Sequence, residues 1–162
     1  MVKAYLAFGS NLGNKIEYIK AAYDELERSD DISMIKKSSF YFSKAYGGDD
    51  LNDFVNSVAL VETALSPMEL LEFVKNIEMN FGRKKTDTKK YENRQIDIDI
   101  LFYGGDRILD KKLTIPHNDI ENRDFVLVPL KEIASDIILP SGKSIDEALN
   151  LINNTTRMIT DD

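Results

Sequence analysis

From Ile96 to Ile100 the chain alternates isoleucine with aspartate, Ile96-Asp97-Ile98-Asp99-Ile100. β-Branched residues at every second position suit a pleated strand, and a period of two sends the isoleucines to one face and the carboxylates to the other. The spacing predicts a strand over 96–103, ended by Gly104-Gly105, with an apolar face buried against other elements. Asp97 and Asp99 then project from the same face with Cα atoms roughly 6–7 Å apart. Two like charges held that close call for a cation or a basic ligand, unless the face is simply solvated.

The other elements follow from the same kind of reading. A strand over 2–8 runs into a glycine-rich turn, and Ile16, Ile19, Ala22, Tyr23 and Leu26 then recur at helical spacing. Residues 32–46 lean towards β structure, and 54–65 reads as a strand stopped at Ser66-Pro67. Pro67 opens a helix that carries Leu70, Leu71, Val74 and Ile77 to about residue 81, where Gly82 ends it. Residues 83–94 lack apolar periodicity and read as a long loop, and 113–129 is loop-like with two prolines. Short helices near 126–134 and 144–152 complete the set. The order strand, helix, strand, strand, helix, strand predicts an α+β ferredoxin-like sandwich, mainly an antiparallel sheet with helices packed on it. No repeat or linker interrupts it, so a single domain over 1–162 is expected.

Composition narrows the function. The net charge of −7 argues against generic nucleic-acid binding. The absence of cysteine removes thiolate catalysis, disulfides and zinc knuckles, and a single histidine removes multi-histidine metal sites. No apolar run approaches the ~20 residues of a membrane span, and no export signal opens the chain, so a cytoplasmic protein is expected and the Asn153 and Asn154 sequons are chance matches.

The charge distribution is more pointed than the total. Within the twelve residues 83–94, Arg83, Lys84, Lys85, Lys89, Lys90 and Arg94 face only Asp87 and Glu92. A cationic loop running directly into an acidic pair suits polyphosphate chemistry, because basic groups neutralise phosphate oxygens while Mg²⁺ bridges carboxylates and phosphates. The alternative is a solvated charge run, and a second alternative is an RNA-binding sheet with exposed aromatics, against which the acidic strand face counts. The turn Gly9-Ser10-Asn11-Leu12-Gly13-Asn14-Lys15 is not a P-loop: its glycines are one residue too close and no Gly-Lys-Ser/Thr follows. His117 in Pro116-His117-Asn118-Asp119 is either a packing residue or a site residue with a near-neutral pKa. Phe54, Phe125, Tyr46 and Tyr91 are core aromatics or, in pairs, flank a flat heterocycle.

Taken together, Ala7-Phe8-Gly9-Ser10-Asn11-Leu12-Gly13, Gly82-Arg83, Asn93-Arg94-Gln95-Ile96-Asp97-Ile98-Asp99-Ile100-Leu101, Leu113-Thr114-Ile115-Pro116-His117 and Asn122-Arg123-Asp124-Phe125-Val126-Leu127-Val128-Pro129-Leu130 resemble the 6-hydroxymethyl-7,8-dihydropterin pyrophosphokinase family. The motifs keep the family's order and spacing over nearly the whole chain. The resemblance implies a monomeric folate-pathway enzyme that moves pyrophosphate from ATP to the pterin hydroxymethyl group and releases AMP. It implies that Asp97 and Asp99 hold two Mg²⁺ ions, and that Arg83 and Arg94 stabilise the transferring group. Glu78, Lys85, Lys90, Lys112, His117 and Arg123 would then serve ATP. Phe54 and Phe125 would sandwich the pterin, Asn56 would bond its amide edge, and Gly9, Ser43, Ala45 and Tyr46 would complete that pocket. Lys85 and Lys90 stand where the family often has arginine, Tyr91 where many members have tryptophan, and Lys44-Ala45 where a proline pair is common. A degenerate member that only binds pterin or nucleotide is the remaining alternative, and the intact Asp97, Asp99, Arg83, Arg94 and His117 argue against it.

Overall fold

A computed structural model describes residues 1–44, 52–82 and 95–160. The predicted strand at 96–103 is β5 (Asp97–Tyr103), and it pairs antiparallel with β1 (Val2–Ser10). On its other side β1 pairs antiparallel with β4 (Phe54–Thr63), and β4 in turn takes β2 (Ile32–Lys37) and β3 (Tyr41–Ser43) successively along its length. With β2 and β3 counted as one interrupted strand, the order β5-β1-β4-β2/β3 places β4 between two strands joined by α1 (Lys15–Glu27). That is the split βαβ arrangement of the ferredoxin-like sandwich expected from the sequence.

Helices α1 and α2 (Pro67–Asn80) cover one face. Ile19, Ala22 and Leu26 of α1 and Leu70, Val74 and Ile77 of α2 pack on Leu6, Phe8, Val61, Ile98 and Ile100, all of them at most 3% exposed. The entry to α2 is specified locally: Ser66 accepts from the Glu69 N–H at 3.2 Å, Glu69 accepts from the Ser66 N–H at 2.9 Å, and Pro67 supplies a preset first turn.

The opposite face is not left bare. Ala7, Val58 and Leu101 carry a second apolar cluster built with Ile120, Val126, Leu127, Leu130, Leu139, Ile145 and Ala148. These come from α3 (Asp124–Ile133), α4 (Ile145–Leu149) and the 3-10 turn Ile120–Asn122. The second cluster covers only part of its face, and Asp97 and Asp99 stay partly exposed beyond it.

Three departures from the sequence reading have a common cause. The helix α3 begins at Asp124, two residues ahead of the helix expected near 126–134, and keeps Pro129 in its interior although proline removes one i→i−4 bond. Burial of Val126, Leu127 and Leu130 on the sheet outweighs that loss. A small hairpin, β6 (Ile108–Leu109) with β7 (Thr114–Ile115), also forms where loop was expected, and β8 (Arg157–Met158) adds to β3 at the C-terminal end. Two-residue strands are set by their tertiary partners and leave no periodic trace.

Candidate functional site

Register sets out the floor of the site. Asp97 lies opposite Gly9, Gly9 opposite Asn56, and Asn56 opposite Tyr41, so four strands contribute one row of residues to one face. The next row holds Asp99, Ala7 and Val58, and Phe54 lies opposite Ser43 at the other margin. The alternation is kept: Ile98 and Ile100 are 1% and 3% exposed in the core under α1 and α2, while Asp97 and Asp99 stay partly exposed.

Behind the acidic pair sits Glu78 of α2, whose side chain is wholly buried. Its carboxyl accepts the Ile98 N–H, the amide between the two aspartates, at 2.8 Å, and meets Lys75 Nζ at 3.1 Å. Burial, then the nearby Asp97 charge, pushes its pKa up to about 7. Glu78 thus lies beneath the acidic strand and is engaged by its backbone, by Lys75 and by the Asp97 side chain.

In front of the pair, His117 is held at both ends. Its N–H donates to the Leu101 carbonyl at 3.0 Å, and its Nδ1 accepts the Asp119 N–H at 3.2 Å, which leaves Nε2 facing Asp99 Oδ2 at 4.0 Å. Burial, with the Arg123 charge second, lowers the imidazole pKa below its ordinary value, and because Nδ1 accepts, the neutral form of the ring has its proton on Nε2. Arg123 stands just before α3, 3.8 Å from Asp99 Oδ2 and 3.4 Å from Asp119 Oδ2, with its guanidinium 5.7 Å from the Phe125 ring centre. Asp99 is consequently the meeting point of an imidazole and a guanidinium.

A cleft of about 200 Å³ opens beside Asp99 and His117, lined by Leu71, Lys75, Lys111, Lys112, Thr114 and Asn118 among others. Three lysines at its rim suit a polyanion. Lys112 and His117, both singled out from the sequence, line it, whereas Lys75 and Lys111 escaped the sequence reading. The i, i+4 spacing of Leu71 and Lys75 on one helix face is the signal that could have found two of its lining residues.

Across the floor from that cleft, Gly9 matters because it has no side chain. A Cβ there would lie 3.4 Å from both Asn56 Oδ1 and a Phe54 ring carbon, so the bare backbone leaves a small gap beside an amide and an aromatic edge. Asn56 and Ser43 are 5% and 3% exposed and joined by a 2.6 Å bond from Asn56 Nδ2 to Ser43 Oγ, which fixes the amide's orientation. Phe54 and Phe125 are half-buried, on β4 and at the start of α3. The structure therefore gathers Gly9, Ser43, Phe54, Asn56, Glu78, Asp97, Asp99, Lys112, His117, Arg123 and Phe125 around one end of the sheet. Arg83, Lys85, Lys90, Arg94, Ala45 and Tyr46 lie outside the described residues.

The donor set at Asp97 and Asp99 can hold a hard divalent cation. Both carboxylates share a face, and no group of three or more metal-binding side chains is arranged as a self-sufficient cage among the described residues. Two carboxylates with open positions for solvent and substrate oxygens are the manner in which Mg²⁺ is ordinarily bound.

Residues 5–135 match the family described as 7,8-dihydro-6-hydroxymethylpterin-pyrophosphokinase (HPPK). The 2-amino-4-hydroxy-6-hydroxymethyldihydropteridine pyrophosphokinase of Haemophilus influenzae is 44% identical over 147 residues, covering 91% of either chain. The chain belongs to the HPPK family. The HPPK of Aquifex aeolicus is 42% identical over 140 residues, covering 86% of this chain and 85% of its own. Among solved structures, a Plasmodium falciparum HPPK-DHPS superposes with a TM-score of 0.69 at 16% identity, over 93% of this chain. This chain spans 43% of that longer protein, and the likeness bears on the HPPK fold alone.

Proposed function

We propose that this HPPK transfers pyrophosphate from ATP to the hydroxymethyl group of 6-hydroxymethyl-7,8-dihydropterin, giving AMP and the pterin diphosphate in folate biosynthesis. The observation that carries the reading is the acidic pair on β5 standing between a lysine-rimmed cleft and the Gly9–Asn56–Phe54 gap. One side suits a polyphosphate and the other a flat, amide-edged heterocycle.

In the reaction the hydroxymethyl oxygen attacks the β-phosphorus, the bond from that phosphorus to the bridging oxygen breaks, and AMP departs with it. Catalysis then consists mainly of alignment and charge neutralisation. Asp97 and Asp99 would hold two Mg²⁺ ions, which when bound supply neutralisation of the phosphate oxygens. Arg123 and His117 support Asp99 and face the nucleotide with Lys112, while Glu78 acts from behind through the strand. Arg83 and Arg94 are assigned to the transferring group and Lys85 and Lys90 to ATP, on the strength of their positions next to the family motif. Phe54 and Phe125 stack on the pterin, Asn56 reads its amide edge, and Gly9, Ser43, Ala45 and Tyr46 bound the pocket. No side chain is assigned as the base for the hydroxyl proton.

The chain is further read as a single domain over 1–162, a monomer acting in the cytoplasm. Support comes from the continuous ferredoxin-like sheet and from the finding that no helix among the described residues is long and apolar enough to cross a membrane. The decisive experiment measures AMP release from ATP and Mg²⁺ with and without the pterin, alongside Asp97→Asn and Asp99→Asn. Pterin-dependent AMP that disappears in both variants is expected, and pterin-independent or absent AMP would overturn the assignment.

A further inference from the structure

The helix α3 brings Arg123 and Phe125 to the site, yet the residue between them points its carboxylate elsewhere. Asp124 Oδ2 accepts the Thr155 N–H at 2.8 Å, the Thr156 N–H at 3.2 Å and the Thr156 hydroxyl at 3.0 Å. Thr156 is 4% exposed, and its two bonds to Asp124 are partly buried, whereas the Thr155 bond is exposed. The chain then continues as β8, pairing with Tyr41 and Phe42 of β3, and Ile159 donates to the Phe40 carbonyl at 2.9 Å. Residues 155–159 therefore bridge the start of α3, which carries Phe125, to β3, which carries Ser43.

A second tie lies at the far end of the same helix. Glu132 accepts from the Ser39 N–H and hydroxyl and from the Tyr41 hydroxyl at 2.6 Å. The separation of α3 from β3 is thus fixed at both ends, by Glu132 at one and by the C-terminal segment at the other. The tie nearer the site is made by residues beyond the 5–135 span that defines the family match.

We infer that residues 155–159 are a latch that sets the width of the pterin side of the site, with Asp124 and Thr156 as positioning residues. The inference rests on the pyrophosphokinase reading for what fills the gap, while the latch itself rests on the bonds just described. A flat ring held between aromatics is sensitive to small changes in their spacing, whereas the lysine-rimmed cleft lies on α2 and the 111–118 segment, outside the latch.

The test uses the full chain with Thr156→Val, Thr156→Ser and Asp124→Asn. Pterin and ATP affinities are measured separately by equilibrium binding, and amide hydrogen exchange is followed at 40–43 and 124–127 without ligand. Loss of bonds to a charged acceptor is expected to weaken pterin binding about tenfold in Asp124→Asn and a few-fold in Thr156→Val. ATP affinity should fall markedly less than pterin affinity, since of the residues assigned to ATP only Arg123 adjoins the latch; Thr156→Ser should restore pterin binding, and exchange should quicken at both segments in the two weakened variants. Parallel loss of ATP and pterin affinity, or quickened exchange with pterin affinity intact, would overturn the inference. If the unaltered protein binds no pterin, the pyrophosphokinase reading fails, and the exchange data alone decide whether the latch joins α3 to β3.

Discussion

Glu78 illustrates how one buried carboxyl serves a neighbouring strand. Its raised pKa of about 7 means the folded protein holds this proton more tightly than the unfolded chain, whose glutamates titrate near 4.5. Below that value both states are protonated and the group costs nothing. Between about 4.5 and 7 the unfolded chain ionises first, so stability falls as pH rises, and above 7 the whole cost is present. In metal-free buffer the protein should therefore melt lower at pH 8 than at pH 5, and Glu78→Gln should flatten that dependence while keeping an acceptor for the Ile98 N–H. Identical pH slopes in thermal melts of the two proteins would remove Glu78 from the account. Gly9 makes the opposite case, a residue defined by what it lacks. Its φ is not in the left-handed region, and a Cβ would meet only ordinary contacts at 3.4 Å, so Gly9→Ala should fold. The added methyl would occupy the gap beside Phe54 and Asn56, and pterin affinity should fall at least several-fold with ATP affinity retained. Calorimetric titration with each ligand checks both halves of that statement.

At the scale of elements, α2 and α3 differ in how they were readable. The capping box at Ser66 and Glu69, Pro67 and the apolar spacing of Leu70, Val74 and Ile77 are local signals, and the helix lies where they place it. Helix α3 has no side-chain cap bond, carries an internal proline and follows a segment with no periodicity. It exists because a second apolar cluster waits on the sheet. Leu127, fully buried in that cluster, should accordingly cost about 2–5 kcal/mol on replacement by alanine, measured by urea unfolding. A loss under 1 kcal/mol would mean that the helix is held by its ends instead. Because Arg123 caps the start of α3 and Phe125 lies in its first turn, its docking also delivers two residues of the candidate site, and Leu127→Ala should weaken pterin binding in step with stability.

For the whole molecule, the site falls where two coverings of one sheet differ in extent. The α1–α2 layer buries the isoleucine face, whereas the α3–α4 layer stops short and leaves Asp97 and Asp99 partly exposed beside the buried Gly9 and Asn56. That edge brings together β1, β4, β5, α2 and α3, whose contributions lie as far apart in the chain as Gly9 and Phe125. A net charge of −7 would repel a nucleotide at long range, so attraction must come from local cations such as Lys75, Lys111, Lys112 and Arg123.

The sequence by itself determined whatever is periodic or locally encoded. The Ile-Asp alternation set which face of β5 is chemical and which is core, the capping signals set α2, and the element order set the ferredoxin-like topology. The ordered motifs around Gly9, Asp97, His117 and Arg123 identified the family before any contact was visible. Tertiary structure alone decided the rest: that Glu78 lies beneath the acidic strand, that Lys75 and Lys111 join the cleft, that α3 survives Pro129, and that Asp124 binds Thr155 and Thr156. Periodicity records how a segment meets water and core along its own axis. Burial of a charge, a two-residue strand or a bond across thirty residues depends on partners elsewhere in the chain, and only the packed fold brings those partners within reach.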